Sequence, residues 1–263
     1  MARGRRVVGT PAEIAPRLHA AGCVHAADEA RLLTGAARTR ADLEDMVTQR
    51  VSGVPLEQVV GFAEFCGNRI VVEPGVFVPR RRTEFLVREA ARLIASGAVV
   101  VDVCCGTGAI GVALAALVDG IELYACDIDS VAVRCARRNL AAVNGQVFEG
   151  DLYDALPAHL RGHVDLIVAS PPYVPSDAVE LLPAEARLHE PLHALDGGSD
   201  GMALHRRVIG EAMPWLAPKG QLMVECSDRQ ESPLAQDFLT HGLVPTTAAS
   251  DELGATAVVG RRG

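Results

Sequence analysis

The stretch Val99-Val-Val-Asp-Val-Cys-Cys-Gly-Thr-Gly-Ala-Ile-Gly111 decides how this chain folds. Val99–Val103 is apolar except for Asp102, too short for a helix, and reads as a strand buried on both faces. Gly106, Gly108 and Gly111 follow in a G-x-G-x-x-G arrangement, and Gly108–Val118 reads as an apolar helix. Glycine allows the main chain to turn tightly and a ligand to approach it closely. The helix behind the turn offers unpaired N–H groups. On its own the glycine pattern is weak, but here it stands in the strand–turn–helix context that gives it meaning.

The alternation continues downstream. Strands are expected at Ile121–Cys126, Gln146–Phe148, Val164–Ala169, Gln221–Cys226 and Ala255–Val259. Helices are expected at Ser130–Val143, Met202–Leu216 and Ser232–His241, and before the first strand a helix capped by Thr83 that runs to Ser96. Strands alternating with helices imply an α/β fold with a doubly wound, mostly parallel sheet covered on both faces. Its ligand crevice then lies at the carboxyl ends of the strands. Upstream, Pro11–Ala21, His25–Thr34 and Thr39–Val51 read as short helices of a small domain over residues 1–60. Residues 61–82 read as a hairpin and linker, with Gly67-Asn68 as the turn signal. The remaining residues, 83–263, form the α/β domain.

The chain has 263 residues, of which 49 % are hydrophobic and 22 % charged, an ordinary globular balance. The net charge of -8 argues against a general nucleic-acid-coating role. The uncharged run Val103–Val118 is shorter than the roughly 20 residues that span a bilayer, and glycines interrupt it. No apolar segment follows the basic start MARGRRVVGT, so no secretory signal is read and a cytoplasmic protein is expected. The seven cysteines show neither C-x-x-C nor zinc-finger spacing; reduced thiols and no metal are expected.

Two segments carry candidate chemistry. Asp127 ends the second strand of the α/β part, about 20 residues past Gly106, where an acid can hydrogen-bond both hydroxyls of a ribose. A helix cap is the plainer reading, and Asp129 is equally placed for it. Asp151 closes the third strand and is a candidate for the adenine amino group, or else a solvated turn residue. The second segment is Ser170-Pro-Pro-Tyr173, after the fourth strand. Pro171 and Pro172 stiffen the chain and remove two N–H donors, leaving the Ser170 hydroxyl and main-chain carbonyls as acceptors and Tyr173 as an aromatic face. Such a site suits a flat, neutral NH2 group. Accepting its N–H hydrogens orients the nitrogen lone pair for attack on a sulfonium methyl.

These segments resemble the HemK-type protein-glutamine methyltransferases. Val54-Pro-Leu-Glu-Gln-Val-Val-Gly61 is similar to the family's linker, and Phe77-Val-Pro-Arg-Arg-Arg-Thr-Glu-Phe-Leu-Val87 to its I-P-R-x-x-T-E-x-L-V segment. Glu185–Pro191 and Ala194-Leu-Asp-Gly-Gly-Ser-Asp-Gly201 are similar to the region after its N-P-P-Y. The resemblance implies a Rossmann-like class I S-adenosylmethionine-dependent methyltransferase with a helical domain that docks a protein substrate, a release factor or ribosomal protein carrying the glutamine. It implies that Cys104, Cys105, Gly106, Thr107 and Gly108 cradle the amino-acid part of S-adenosylmethionine, with Phe77, Pro79 and Thr83 nearby. By the same resemblance Arg80 lies near the cofactor carboxylate, Asp127 holds the ribose and Leu152 contacts the adenine. Ser170, Pro171, Pro172 and Tyr173 would hold the acceptor amide. A monomer is the simpler expectation.

Two positions depart from the family. Cys104 stands where the glycine turn has its first glycine, and its β-carbon is expected to crowd the backbone. Ser170 stands where the signature has asparagine, on a shorter arm that must turn its hydroxyl to accept. Ser-Pro-Pro-Tyr also occurs in DNA methyltransferases that act on the exocyclic amine of cytosine. A methyltransferase for an amino group of a nucleic acid or small metabolite is therefore the alternative, although the acidic balance argues against duplex DNA. A non-catalytic relative is a further reading. A nicotinamide-dependent oxidoreductase would use the glycine turn and Asp127 but leave Ser-Pro-Pro-Tyr unexplained.

Overall fold

A computed structural model describes residues 9–263; the reading of residues 1–8 as free of a leader lies outside them. Helices α1 (Pro11–Ala20), α2 (Ala26–Ala36), α3 (Arg40–Val51) and α4 (Leu56–Val60) gather around Ile14, Leu18, Ala30, Leu33, Leu43 and Val47. Pro11 opens α1, where its missing N–H costs nothing. Thr39 caps α3 by accepting the Asp42 N–H. One ion-pair network lies across this bundle. Arg50 Nε donates to Glu29 Oε2 at 2.6 Å, and Nη1 donates to the Val54 carbonyl at 3.1 Å and to Glu185 Oε2 at 3.2 Å.

Strands β1 (Phe62–Phe65) and β2 (Asn68–Val71) form the expected hairpin. It turns one residue earlier than the sequence suggests: Phe65 pairs with Asn68, and Cys66 (φ 48°) and Gly67 (φ 73°) are the turn residues. Both central positions of this tight turn need positive φ, and the Asn68 side chain bonds back to the Cys66 carbonyl at 3.0 Å.

The remaining elements are α5 (Glu84–Leu93), β3 (Val99–Val103), α6 (Ala109–Leu117), β4 (Glu122–Asp127), α7 (Ser130–Leu140), β5 (Gln146–Glu149), β6 (Val164–Ala169), α8 (Ala184–His189), α9 (Ala203–Ala212), β7 (Leu216–Cys226), α10 (Glu231–Thr240), β8 (Leu243–Ser250) and β9 (Ala255–Arg262). The 7-stranded sheet has the order β5-β4-β3-β6-β7-β9-β8; only β9 is reversed, pairing antiparallel with β7 and β8. Strand periodicity divides the core between its two faces. Val101, Val103, Ile167, Ala169, Leu222 and Val224 pack into one apolar cluster. Val100, Leu166, Val168 and Met223 pack into the other, under α5, α6 and α7.

Three sequence expectations are corrected. Thr83 does not cap α5 through its side chain; it is buried, and its hydroxyl reaches Glu225 instead. The helix expected to reach Leu216 stops at Ala212, because Leu216 already pairs with Val164 as the start of β7. Strand β8 was not expected. Leu243-Val-Pro-Thr-Thr-Ala-Ala-Ser250 is an edge strand whose only buried residue is Leu243, so it lacks a strong apolar alternation, and an edge tolerates Pro245.

Arg50→Ala leaves the buried Glu29 carboxylate without its partner. Urea denaturation should show a loss of about 3–5 kcal/mol.

Candidate active site

Strands β3 and β6 run parallel, with Val103 opposite Ala169. Cys104 and Ser170, the next residue of each, therefore leave the sheet side by side. Both line a cavity of about 840 Å³ at the carboxyl ends of the strands, within the range of about 300–1,000 Å³ usual for small-molecule sites. Phe77, Thr83, Gly106, Asp127, Asp151 and Leu152 share its wall, as do Pro171, Pro172 and Tyr173. Pro79, Cys105, Thr107 and Gly108 do not line it. The last three belong to the turn and the start of α6: Cys105 N–H donates to the Cys126 carbonyl at 3.1 Å, Thr107 is buried, and Gly108 opens α6 at φ 75° against Leu140 and Ala136.

Gly106 has φ 53°, and a β-carbon there would meet nothing within 4 Å, so the turn presents bare main chain. Asp127 Oδ2 accepts the Gly106 N–H at 2.8 Å and Oδ1 accepts the Asp129 N–H at 2.9 Å. Asp129, not Asp127, caps α7, by accepting the Val131 N–H. Burial raises the pKa of Asp127, and its two N–H donors oppose that rise. The crowding expected at Cys104 is absorbed: the residue takes φ 58°, packs against the core and still borders the cavity. Leu152 is likewise held at φ 47°. Non-glycine residues in this region cost about 1–2 kcal/mol each, and here both lie in the cavity wall. Asp151 is held by Arg207 in a two-pronged pair at 3.0 and 3.1 Å.

At the other end, Ser170 Oγ donates to Glu225 Oε2 at 2.7 Å. Thr83 Oγ1 approaches the same carboxylate, 2.9 Å from Oε2 and 3.1 Å from Oε1. Tyr173 lies under the Arg82 guanidinium, 5.2 Å from its ring centre, and edge-on to His205. Burial pushes the Tyr173 hydroxyl up to about 12 and His205 down to about 4. His205 is neutral, and its Nε2–H donates to the Glu225 carbonyl at 2.9 Å. The loop Asp196–Gly201 backs the motif closely: a β-carbon on Gly197 would stand 2.7 Å from the Pro172 carbonyl, and one on Gly201 2.4 Å from the Tyr173 carbonyl. Gln230 Nε2 donates to that Tyr173 carbonyl at 3.0 Å and so occupies one of its two lone pairs.

The segment that includes α8 borders the cavity through Leu182, Pro183, Ala186 and Pro191. Glu190, buried, fastens it by accepting the Val78 N–H at 3.1 Å and pairing with Arg80. Glu185, which accepts from Arg50, and Glu190 thus tie the crevice wall to the rest of the chain. Arg80 also stacks over Phe77, 4.6 Å from its ring centre. Among the described residues no group of His, Cys, Asp and Glu converges as a metal site, and no helix is long and apolar enough to cross a membrane. All seven cysteines are free.

Sequence reading missed Glu225, His193 and Arg207 in the cavity wall. Glu225 did leave a signal, as an ionisable residue near the carboxyl end of the apolar strand Gln221–Cys226. His193 and Arg207 left none, since single polar residues on helical segments are usually surface.

A bare glycine turn, a carboxylate at the tip of the next strand and apolar walls at Leu152, Ile128, Ala132 and Leu204 fit a nucleoside with an amino-acid tail. Fold and site together define a class I S-adenosylmethionine-dependent methyltransferase. The family model described as Methyltransferase small domain matches residues 67–200. The release factor glutamine methyltransferase of Geobacter sulfurreducens is 37% identical over 82% of this chain and 76% of its own length. That of Mycolicibacterium smegmatis is 38% identical over 81% of this chain and 76% of its own. A 4-amino-L-phenylalanine/4-methylamino-L-phenylalanine methyltransferase of Streptomyces pristinaespiralis is 38% identical over 68% of this chain and 63% of its own. A methyltransferase structure from Pyrococcus furiosus, 17% identical, superposes with TM-score 0.56 over 75% of this chain and 90% of its own, and shares the fold. The chain belongs to the HemK-type release factor glutamine methyltransferase family.

Under the glycine turn, Asp102 is fully buried. Its Oδ2 accepts the Gly111 N–H at 3.2 Å, and among the described residues Oδ1 finds no partner. Burial pushes its pKa up to about 7. Between the unfolded value near 4 and this folded value, the folded state binds the extra proton, so Asp102 costs stability as pH rises through that window. Urea denaturation from pH 4 to 8 should show Asp102→Asn gaining on wild type by on the order of 3–4 kcal/mol up to pH 7, and no further above it.

Proposed function

We propose that this chain transfers a methyl group from S-adenosylmethionine to the side-chain amide nitrogen of a glutamine in a release factor. The observation that carries the reading is the parallel Val103–Ala169 pairing, which sets the glycine turn and Ser170-Pro-Pro-Tyr173 side by side in one cavity. The cofactor supplies an electrophilic sulfonium methyl. Cys104 and Gly106 of the turn hold its amino-acid part, with Phe77 and Thr83 alongside, while Cys105, Thr107 and Gly108 shape the turn. Asp127 accepts from the ribose hydroxyls, Asp151 faces the adenine amino group and Leu152 packs on the ring. An amide nitrogen is a poor nucleophile because its lone pair is delocalised. Ser170 and the carbonyls of the Pro-Pro segment accept its N–H hydrogens and favour charge developing on nitrogen. Tyr173 packs against the flat amide.

The helical part up to residue 60 docks the protein substrate, and the enzyme acts as a monomer in the cytoplasm. Arg50 links this part to α8 through Glu185, so docking and the cavity wall share one ion-pair network. A second reading is methylation of a small aromatic amine. It is favoured by Ser170 and by the similarity to the Streptomyces pristinaespiralis enzyme.

With labelled S-adenosylmethionine, label is expected in a Gly-Gly-Gln-bearing release factor and not in the same factor with that glutamine changed to alanine. Label on 4-aminophenylalanine and none on the factor would select the second reading; label in nuclease-sensitive material would overturn both. Asp127→Asn should weaken cofactor binding about tenfold by calorimetry, as one charge-assisted hydrogen bond is lost.

A further inference from the structure

The serine at position 170 can present a substrate with either its proton or its lone pairs. The structure decides between them. Strands β6 and β7 are parallel with Val168 opposite Met223, and both side chains point to the same face of the sheet. Ser170 and Glu225 lie two residues beyond each, so they share that face and sit in register, with a 2.7 Å hydrogen bond between them. Glu225 is 3% exposed, and its Oε2 accepts from the hydroxyls of both Ser170 and Thr83. The hydroxyl proton of Ser170 is therefore committed to Glu225, and the oxygen offers lone pairs to the cavity. Thr83, from the loop before α5, steadies Oε2 at 2.9 Å. The charged and titratable groups around the pair are Arg82, whose Nε lies 3.9 Å from Oε1, Tyr173, and neutral His205 on the Glu225 carbonyl.

We propose that Glu225 is a positioning residue that acts through Ser170: it fixes the hydroxyl as an acceptor and relays the proton that the acceptor nitrogen must lose. This rests on the methyltransferase reading of the site, whichever NH2 compound is the acceptor. Once the nitrogen carries the methyl group, its N–H proton passes to Ser170 Oγ. The hydroxyl's own proton passes to Glu225 Oε2, and from there to water when product leaves. Nothing is oxidised or reduced, and each proton has a named donor and acceptor. An asparagine carboxamide at position 170 would accept the N–H but hold no hydroxyl proton to pass on. The Glu225 charge, one hydroxyl away, also stabilises the positive charge that develops at the transfer point.

The test needs no acceptor. Sinefungin has carbon in place of the sulfonium sulfur and an amine in place of its methyl, whereas S-adenosylhomocysteine has no group there. Calorimetry on the full chain gives the ratio of the two affinities. Wild type should favour sinefungin; Glu225→Gln should reduce that preference about tenfold while S-adenosylhomocysteine affinity stays within about twofold. Ser170→Ala should reduce it similarly, and the double variant no further than the larger single effect. An unchanged ratio in Glu225→Gln, or an additive double variant, overturns the proposal. If Glu225→Gln does not fold, an unchanged ratio in Ser170→Ala overturns it equally. A wild-type preference for sinefungin lost in Glu225→Gln, together with no label on the release factor, would refute the acceptor assignment and leave the action of Glu225 through Ser170 standing.

Discussion

Parallel pairing of β6 with β3 on one side and β7 on the other sets the distances of the site. Parallel strands that end together bring residues far apart in sequence to one edge of the sheet, and crossover helices cannot follow them there. Cys104, Ser170 and Glu225 meet for this reason alone. A one-residue slip of β7 against β6 would turn Glu225 to the opposite face and leave Ser170 without its anionic partner.

Around that edge the chain spends main-chain geometry rather than side-chain volume. Gly106 leaves the turn bare, while Gly197 and Gly201 let the Asp196–Gly201 loop close against the carbonyls of Pro172 and Tyr173. Non-glycine residues at Cys104 and Leu152 accept positive φ in the cavity wall. Buried polar side chains are held by specific partners: Glu190 by Val78 and Arg80, Glu225 by Thr83 and Ser170, Gln230 by Tyr173 and Gly201. Each satisfied network fixes one stretch of irregular chain that no ladder of hydrogen bonds would hold.

Much of the fold was legible because the signals are local. The apolar runs at Val99–Val103 and Val164–Ala169 coincide with β3 and β6, and the expected doubly wound, mostly parallel sheet is the one observed. Elements read less well where tertiary partners outweighed local preference. Thr83 looks like a cap by type and position, but a buried carboxylate from β7 claims its hydroxyl. Strand β8 has few buried side chains because it lies at an edge, so little in its sequence marks it. The site divides in the same way. Asp127, Gly106 and the Ser-Pro-Pro-Tyr segment announce themselves by residue type and spacing, while Cys105, Thr107 and Gly108 belong to the same motif yet do not line the cavity.

Strand–helix alternation and two short motifs marked the architecture and the candidate site, and the wider resemblance of segments such as Phe77–Val87 pointed to the family. These depend on periodicity and on the intrinsic stiffness or freedom of proline and glycine, which the local chain carries with it. Only the folded sheet decided that the Ser170 hydroxyl turns its proton to Glu225. The direction of a serine hydroxyl is set by its nearest strong acceptor, and that acceptor, Glu225, is 55 residues further along the chain, brought close by strand register.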